Sequence, residues 1–282
     1  MFNTNRQSRL KLLREGIREV VNKIFDNPYR ELGLSWFTLR KLKYFPKTGL
    51  NSNKLFGKET FFYNRTEYLH ALQEIFADKI YLQNLPPNSY ILDCGSHIGL
   101  SIIYLKKLCP SANIIAFEPD PANFDVLTKN VKSHGLSSVE LRKEAVWISN
   151  TTLSFMAEGN MSSKIGTINE AAVKVPAIRL KDLLIKTVDF LKLDIEGAEF
   201  EVIKDIQEKL SMVENLFIEY HGSFKQNNEL SDILQIVLKA GLSYYIREAT
   251  AVYKQPFKRI NTNESYDIQV NIFCFKPTDK IN

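Results

Sequence analysis

The sequence predicts an α/β protein whose core is a doubly wound parallel sheet. Three observations predict it. Residues 90–101 run from an apolar strand, through a turn with two glycines, into an apolar-periodic helix. A second apolar segment, residues 113–118, ends in an acid. Two later apolar segments, residues 188–199 and 214–222, carry charged side chains where each strand is expected to end.

The turn in residues 90–101 has the spacing D-x-G-x-x-x-G, in which Asp93, Gly95 and Gly99 are the fixed positions. A strand, a tight glycine turn and a helix N-terminus together bring backbone N–H groups up to a nucleotide-like ligand. Glycine permits the unusual backbone angles and the close approach of that ligand. The alternative is a glycine turn that binds nothing.

Glu118 ends the second strand and is followed by Pro119 and Asp120. An acid in this place accepts hydrogen bonds from ribose hydroxyls, in NAD-binding and in S-adenosylmethionine-binding folds. A dinucleotide needs G-x-G-x-x-G and no anion beside its pyrophosphate, whereas Asp93 lies just before the first glycine. Because an anion there repels phosphate and attracts an ammonium group, the sequence favours S-adenosyl-L-methionine over NAD.

Residues 188–199 form the second informative region. Lys192, Asp194 and Glu196 alternate with apolar residues along one side of the strand and its end. Burying such groups costs several kcal/mol unless they are paired. An ion pair of Lys192 with one acid would explain part of the pattern. A site at the carboxyl end of the strand, where open α/β sheets bind ligands, explains all of it.

The strand at residues 214–222 repeats this signal, because Glu219 and His221 share one face at its end. A histidine at a strand end, at the same edge of the sheet as Asp194 and Glu196, is typical of a functional site. We therefore expect the ends of both strands to contribute to one site.

Together these segments resemble the FkbM-type family of S-adenosylmethionine-dependent methyltransferases. The resemblance implies a Rossmann-like class I methyltransferase sheet of seven strands, the last antiparallel, and O-methylation of a hydroxyl on a sugar, glycan or natural product. The family usually has asparagine where His97 stands. The residues that carry the resemblance are Leu92–Gly99, Ala116–Pro119 and Phe190–Glu199.

Two sets of site residues are predicted. The cofactor-binding set for S-adenosyl-L-methionine is Asp93, Gly95, Ser96, His97, Gly99, Glu118, Pro119, Asp120 and Ala145. The catalytic set is Asp194, His221, Glu196 and Lys192.

Methyl transfer to a hydroxyl needs a base near neutral pKa, for which His221 and Asp194 are the candidates. Glu196 is expected to orient the acceptor or the methionine portion of the cofactor. Asp194, Glu219 and His221 would alternatively hold a divalent cation that lowers the pKa of the hydroxyl. The prediction favours a site without a metal.

Two other classes of function compete with this prediction. An NAD-dependent oxidoreductase is disfavoured by Asp93 and by the lack of G-x-G-x-x-G. A binding protein that kept the methyltransferase fold without turnover is disfavoured by the charged residues that remain at the strand ends.

Residues 1–63 are predicted to form a basic helical N-terminal extension, and residues 64–282 the methyltransferase domain. Residues 1–60 hold 13 Lys and Arg against 5 Asp and Glu, although the formal charge of the whole chain is only +5. Apolar residues at helical spacing between Leu10 and Ile24 are expected to fold back on the core as a cap. Peripheral contact with an anionic membrane is the alternative. Nucleic acid is not expected as a partner, because no binding module accompanies the charge.

Composition places the protein in the cytoplasm, where we expect a small-molecule or glycan acceptor. No apolar run approaches the roughly 20 residues that span a bilayer, and the first residues lack the apolar stretch of a signal peptide. The three cysteines, Cys94, Cys109 and Cys274, have no metal-ligand spacing and are expected to be reduced.

Three further elements are expected from local signals. Residues 46–63 have the composition of a connecting loop. Residues 121–134 predict a helix that begins at Pro121 and ends before Gly135. Residues 144–155 alternate around Ser149-Asn150-Thr151 and predict a β-hairpin.

Overall fold

The computed structural model describes residues 27–46, 49–155, 173–226, 228–259 and 266–277. The chain divides into two compact units, residues 1–80 and 81–282. The predicted amphipathic segment from Leu10 to Ile24 lies outside the described residues, so its role as a cap stays a prediction.

The described elements of the first unit are a 3₁₀ turn over Arg30–Leu32, a short helix, a hairpin and a longer helix. The bounds are α1 (Trp36–Leu42), β1 (Asn51–Leu55), β2 (Lys58–Phe62) and α2 (Arg65–Leu72), which continues as a π-helical turn over Gln73–Ala77. Asn64 caps α2 by accepting hydrogen bonds from the N–H groups of Thr66 and Glu67. Tyr68 stacks on Phe62 with ring centroids 4.0 Å apart, which ties α2 to the hairpin.

The connecting loop expected over residues 46–63 is wrong, because β1 and β2 pair antiparallel along their whole length. The two residues between them, Phe56 and Gly57, both have positive φ, 51° and 76°. This is the geometry of a tight hairpin turn, whose usual sequence mark is Asn or Asp before the glycine. Phe56 stands where Asn or Asp would mark the turn, and β1 is rich in polar residues. The sequence of the hairpin therefore resembles a loop in composition.

The second unit holds ten strands and four α-helices in its described residues. The strands are β3 (Tyr90–Cys94), β4 (Asn113–Phe117), β5 (Val139–Arg142), β6 (Ala145–Trp147), β7 (Thr151–Phe155), β8 (Val173–Arg179), β9 (Val188–Leu193), β10 (Val213–Gly222), β11 (Ser243–Glu248) and β12 (Ile268–Phe275). The helices are α3 (Leu100–Leu108), α4 (Pro121–His134), α5 (Glu199–Ile206) and α6 (Glu229–Lys239). Short 3₁₀ turns cover Leu180–Leu183 and Gln207–Met212.

Seven of these strands form the main sheet, in the order β11-β12-β10-β9-β3-β4-β5. Neighbouring strands from β10 to β5 are parallel, and β12 is antiparallel to both of its neighbours. The predicted Rossmann-like class I methyltransferase sheet, with its last strand antiparallel, is therefore confirmed.

The core lies on both faces of the central strands. On one face, Leu191 and Leu193 of β9 and Ile218 of β10 are fully buried, with Val202 of α5 packed among them. On the other face, Phe190 and Phe217 are buried against the ring of Tyr81. A parallel sheet covered on both faces needs such continuous apolar strands. Polar side chains therefore concentrate at the strand ends, where the functional residues lie.

The hairpin expected over residues 144–155 is wrong in its pairing. Both strands exist, as β6 and β7, but β8 lies between them in a small sheet of order β6-β8-β7. β8 is parallel to β6 and antiparallel to β7. The local alternation predicts each strand, but the partner comes from a later part of the chain.

Within the described residues, no helix combines the length and the apolar character needed to cross a membrane.

Candidate active site

The carboxyl ends of β3, β4 and β9 meet where the chain order of the sheet reverses. From β3 the chain continues to β4 on one side, and β9 pairs with β3 on the other. Open α/β sheets bind ligands in the crevice at such a switch point. The predicted residues of the first turn and of the ends of β4, β9 and β10 come together there.

The glycines of the first turn are required by both backbone angle and packing. Gly95 has φ +84°, and a Cβ on it would lie 1.7 Å from the carbonyl oxygen of Asp194. Gly99 has φ +85°, and its Cβ would lie 2.6 Å from Cδ1 of Leu127. The unusual angles expected from the sequence are present. The atoms that each added Cβ would meet belong to Asp194, which follows β9, and to Leu127 of α4.

The N–H groups of this turn are largely used by protein oxygens. Those of Gly95 and Ser96 donate to the carbonyl of Phe117 at 3.0 and 2.9 Å. The His97 N–H donates to Oε2 of Glu118 at 2.7 Å, and the Gly99 N–H donates to the Ser96 carbonyl at 2.8 Å. A pyrophosphate cradle needs these groups free. The turn is therefore built to hold an acid of the protein.

His97 has φ +48°, in the left-handed region that asparagine and histidine enter more readily than most residues. The asparagine usual in the resembling family and the histidine of this chain therefore satisfy the same backbone. Burial lowers the pKa of His97 to about 4, so its ring is neutral at physiological pH.

Asp93 is fully buried at the end of β3. Its Oδ2 accepts a hydrogen bond from Oγ of Ser101 at 2.5 Å. Among the described residues, Oδ1 has no hydrogen-bond donor, and it lies 3.8 Å from Nζ of Lys192. Burial raises the pKa of Asp93, with Lys192 and Ser101 acting against the rise. A buried carboxylate oxygen with spare capacity is a place for a cationic ligand group.

Glu118 is held by the loop that it also organises. Its Oε2 accepts from the His97 N–H at 2.7 Å and its Oε1 from the Asp120 N–H at 2.9 Å. Burial raises the pKa of Glu118 to about 8. Asp120 in turn caps α4 by accepting from the N–H groups of Ala122 and Asn123. Pro119, between the two acids, is partly buried.

Ala145 is not brought to these residues by any described contact. It begins β6, pairs with Ala177 of β8, and is buried in the small apolar cluster of that sheet with Val175.

Lys192 links β9 to the turn after β3. Its Nζ donates to the carbonyl of Gly95 at 2.7 Å and to Oδ2 of Asp194 at 2.9 Å. Burial lowers its pKa, but Asp194 and Asp93 outweigh the burial, so the pKa is held above its ordinary value. Lys192 is therefore a permanent cation in this site. Lys192 is thus an ion-pair partner of Asp194 and also a member of the charged group at the ends of the strands.

Glu199, which the sequence analysis did not select, organises the loop after β9. It is fully buried at the first position of α5. Its carboxylate accepts from the N–H groups of Ile195 and Gly197, at 3.0 Å each. The only sequence signal is its place at the end of the segment Phe190–Glu199, because its partners are backbone groups of its own loop and the ring of the distant His221.

Tyr266 was missed as well, since it lies far along the chain. Its hydroxyl donates to the carbonyl oxygen of Glu196 at 2.9 Å and to Oε2 of the same residue at 3.2 Å. Glu196 has φ +57°, an uncommon angle for this residue type. The tyrosine holds the glutamate in that conformation, and its ring packs 4.7 Å from the ring of His221.

His221 is buried among carboxylates. Its Nδ1 lies 3.3 Å from Oε1 of Glu199, and its Nε2 lies 3.7 Å from both Oε2 of Glu196 and Oε1 of Glu219. Burial lowers the pKa of the ring, but Glu199, Glu196 and Glu219 outweigh it and raise the pKa to about 10. The ring is thus protonated at neutral pH. Burial also raises the pKa of Glu196, to about 8.

Accessibility divides these residues into two groups. The side chains of Asp194 and Glu196 are 18% and 19% exposed, so a molecule in the crevice can reach them. Those of Lys192, Glu199 and His221 are at most 4% exposed. Lys192 lies 2.9 Å from Asp194, and His221 lies 3.7 Å from Glu196, so two of the buried groups neighbour the two partly exposed acids.

A family model described as the methyltransferase FkbM domain matches residues 93–244, more than half of the chain. The chain belongs to the FkbM methyltransferase family. The match begins at Asp93 and includes every site residue of β3, β4, β9 and β10 described above.

Two relatives and one solved structure are similar to this FkbM-family chain. "Methyltransferase 1" of Beauveria bassiana is 31% identical over 54% of this chain and 72% of its own. "Hexuronic acid methyltransferase AglP" of Haloferax volcanii is 27% identical over 58% of this chain and 68% of its own. The crystal structure of "Methyltransferase FkbM" from Methylobacillus flagellatus matches with a TM-score of 0.46 and 16% identity, over 70% of this chain and 46% of that one.

Replacing Gly95 by alanine should destabilise the FkbM-family chain far more than replacing Gly135. Gly135 also has positive φ, +64°, but its Cβ would meet nothing within 4 Å. Gly135→Ala should therefore cost only the left-handed strain, roughly 1–2 kcal/mol. Gly95→Ala must in addition displace the backbone of Asp194. Denaturant unfolding of both variants measures this, and equal losses would contradict the packing described for the turn.

The pKa values of His97 and His221 should lie on opposite sides of the ordinary histidine value of about 6.5. In metal-free and cofactor-free protein, the ring of His97 should titrate near 4 and that of His221 near 10. Because the pKa of His221 is raised by folding, the stability that it contributes is full below about pH 6.5 and is lost towards pH 10. Nitrogen-15 NMR of the rings measures both values, with His97→Asn and His221→Gln assigning the signals. Two rings that titrate together near 6.5 would refute the account of burial and charge.

Proposed function

We propose that the protein is an S-adenosyl-L-methionine-dependent O-methyltransferase that acts on a hydroxyl of a sugar, glycan or natural product. The observation that carries the proposal is the charge at the carboxyl ends of β3, β9 and β10. In the described part of the chain, five carboxyl groups surround two basic ones there. The acids are Asp93, Asp194, Glu196, Glu199 and Glu219, and the basic groups are Lys192 and His221.

This excess of acid fits a cationic cofactor. The methionine portion of S-adenosyl-L-methionine carries an ammonium and a sulfonium, and both are attracted by buried carboxylates. A dinucleotide would bring two phosphates to the same acids, and the N–H groups that it needs are already bonded to protein oxygens. These two facts favour the sulfonium cofactor over NAD.

Two residues are suited to hold the cofactor at its ends. Oδ1 of Asp93, which is buried and has no donor among the described residues, is proposed to attract the ammonium by its charge. Glu118 presents a carboxylate whose oxygens each accept one backbone N–H and keep a further lone pair for ribose hydroxyls. Gly95 and Gly99 allow the turn after Asp93 to adopt its positive backbone angles, and this turn carries the N–H group that holds Glu118.

When bound, the cofactor supplies a methyl group on a good leaving group, so the protein has to align the acceptor and to remove one proton. Asp194 and Glu196 are the reachable acids of the site and are proposed to take that proton. The raised pKa of Glu196, about 8, suits a group that exchanges protons near neutral pH. Lys192 and His221 are proposed to hold Asp194 and Glu196 in place from below the surface.

The same charges favour a neutral acceptor. A hydroxyl can approach Asp194 and Glu196, whereas a carboxylate acceptor would meet two anions at close range. The similarity to a protein named hexuronic acid methyltransferase supports a sugar as the acceptor class, and the acids of this site favour a hydroxyl of such a sugar over its carboxylate. The acidity around the reachable side chains directs the transfer to a sugar hydroxyl.

The test is methyl transfer by the native chain from S-adenosyl-L-methionine to a panel of glycosides and hexuronic acids, followed by mass spectrometry. We expect the gain of one methyl group that survives mild alkali, as an ether does and an ester does not. Asp194→Asn and Glu196→Gln should lower kcat by roughly a hundredfold or more, with little change in the KM for the cofactor.

Glu201→Gln is the matched control for these variants, because Glu201 is an exposed acid of α5. It should turn over as the native chain does. An alkali-labile product would show methyl transfer to a carboxylate and sink the hydroxyl assignment. Full activity in both Asp194→Asn and Glu196→Gln would remove these residues from the mechanism.

A further inference from the structure

We propose that Asp194, Glu219 and His221 form a binding site for a divalent metal ion of the manganese type. One ligand atom of each residue, a carboxylate oxygen or a ring nitrogen, lies within 4.8 Å of the other two. Glu219 and His221 are two residues apart on β10, and Asp194 follows the end of the neighbouring parallel strand β9. The sheet itself therefore places three ligands around one point.

The spacing of the ligand atoms fits one ion. Oε1 of Glu219 and Nε2 of His221 are 3.7 Å apart. Two ligands of a first-row ion, each at about 2.0–2.3 Å, are separated by roughly 3 to 4.5 Å, depending on the angle between them. The ligand atom of Asp194 lies no more than 4.8 Å from each of the other two, which is within a few tenths of an ångström of this range.

The orientation of His221 gives a second, independent argument. Glu199 belongs to α5, outside the ligand set, and its Oε1 lies 3.3 Å from Nδ1 of the ring. A carboxylate that binds one ring nitrogen, and so turns the other towards the metal, is the usual support of a metal-bound histidine. Glu199 is itself fixed by two backbone N–H groups, so the direction of Nε2 is determined before any ion binds.

Gln269, on the antiparallel strand β12, lies beside both ligand atoms of β10. Its Nε2 group donates to Oε1 of Glu219 at 2.8 Å and lies 3.3 Å from Nε2 of His221. An ion bound at this point would displace that amide group. The support from outside the ligand set is Glu199, and this support distinguishes the group from a chance cluster of surface acids.

The charge around the site favours a cation despite a nearby lysine. Nζ of Lys192 lies 2.9 Å from Oδ2 of Asp194. The carboxyl groups of Asp194 and Glu219 outnumber this one cation. A third, that of Glu196, has its Oε2 3.7 Å from Nε2 of His221. One imidazole with carboxylate oxygens suits Mn²⁺ or Fe²⁺ better than Ca²⁺, which prefers oxygen alone. The ion takes the place of the second proton on the ring.

At this position the ion would bind an acceptor oxygen and lower the pKa of its hydroxyl, and with Asp194 bound to the ion the proton would pass to Glu196, which is outside the ligand set. That catalytic role rests on the proposed methyl transfer, whereas the binding of the ion does not. The site also gives His221 a function that a buried, protonated ring cannot perform alone.

Titration of the chelator-treated full chain with Mn²⁺, followed by electron paramagnetic resonance, tests the site without turnover. We expect one site per chain. His221→Asn and Glu219→Gln should weaken Mn²⁺ binding by at least a hundredfold, and Glu199→Gln by 10- to 100-fold, the range for lost outer support. Glu201→Gln should bind as the native chain does, and circular dichroism confirms that each variant is folded.

The proposal is overturned if the native chain binds no Mn²⁺, or if His221→Asn and Glu219→Gln both bind it with native affinity. Measurement of S-adenosyl-L-methionine binding on the same samples separates the two proposals. Mn²⁺ binding that depends on His221 and Glu219 keeps the metal site even if the chain transfers no methyl group.

Discussion

The buried ammonium of Lys192 is the interaction on which the site depends. It bonds to the carbonyl of Gly95 and to Asp194, and it lies 3.8 Å from Asp93. It therefore joins the turn after β3 to the end of β9 across the middle of the sheet. Without this cation, Asp93 would be an uncompensated charge in the core, which is among the costliest arrangements in a folded protein.

One lysine does not neutralise the acids around it. The folded site therefore keeps an excess of acidic groups, and this excess can attract a cationic ligand. Three acids keep raised pKa values because burial leaves them short of positive charge: Asp93, Glu118 and Glu196, the last two at about 8. Such a site gains stability from any cation that enters it. A sulfonium cofactor at Asp93 and Glu118, and a divalent ion at Asp194 and His221, would both supply the positive charge that the site lacks.

The sequence could predict what depends on neighbouring residues. The helix over 121–134 is predictable with its observed bounds, because a first-turn proline and a terminal Gly135 are both local signals. Acids such as Glu118 and Asp194 were predictable because a charge that ends an apolar strand is conspicuous. Their assembly at one edge then follows from the parallel sheet.

What the sequence could not predict depends on distant partners. The pairing of β6 with β8 rather than β7 is decided by a strand that comes much later in the chain. Tyr266 and Gln269 lie some 50 to 70 residues from the side chains that they hold. The pKa of His221 depends on Glu219 of its own strand and on Glu196 and Glu199 of the segment after β9, so its protonated state follows from the fold's bringing these two segments together.

The central claim is that these acids select a cationic sulfonium cofactor. Calorimetric titration of the native chain with S-adenosyl-L-methionine and with NAD, in one buffer at neutral pH, tests it most directly. The account predicts binding of S-adenosyl-L-methionine at least tenfold tighter than that of NAD, a difference of about 1.4 kcal/mol or more. Equal or tighter binding of NAD would contradict it.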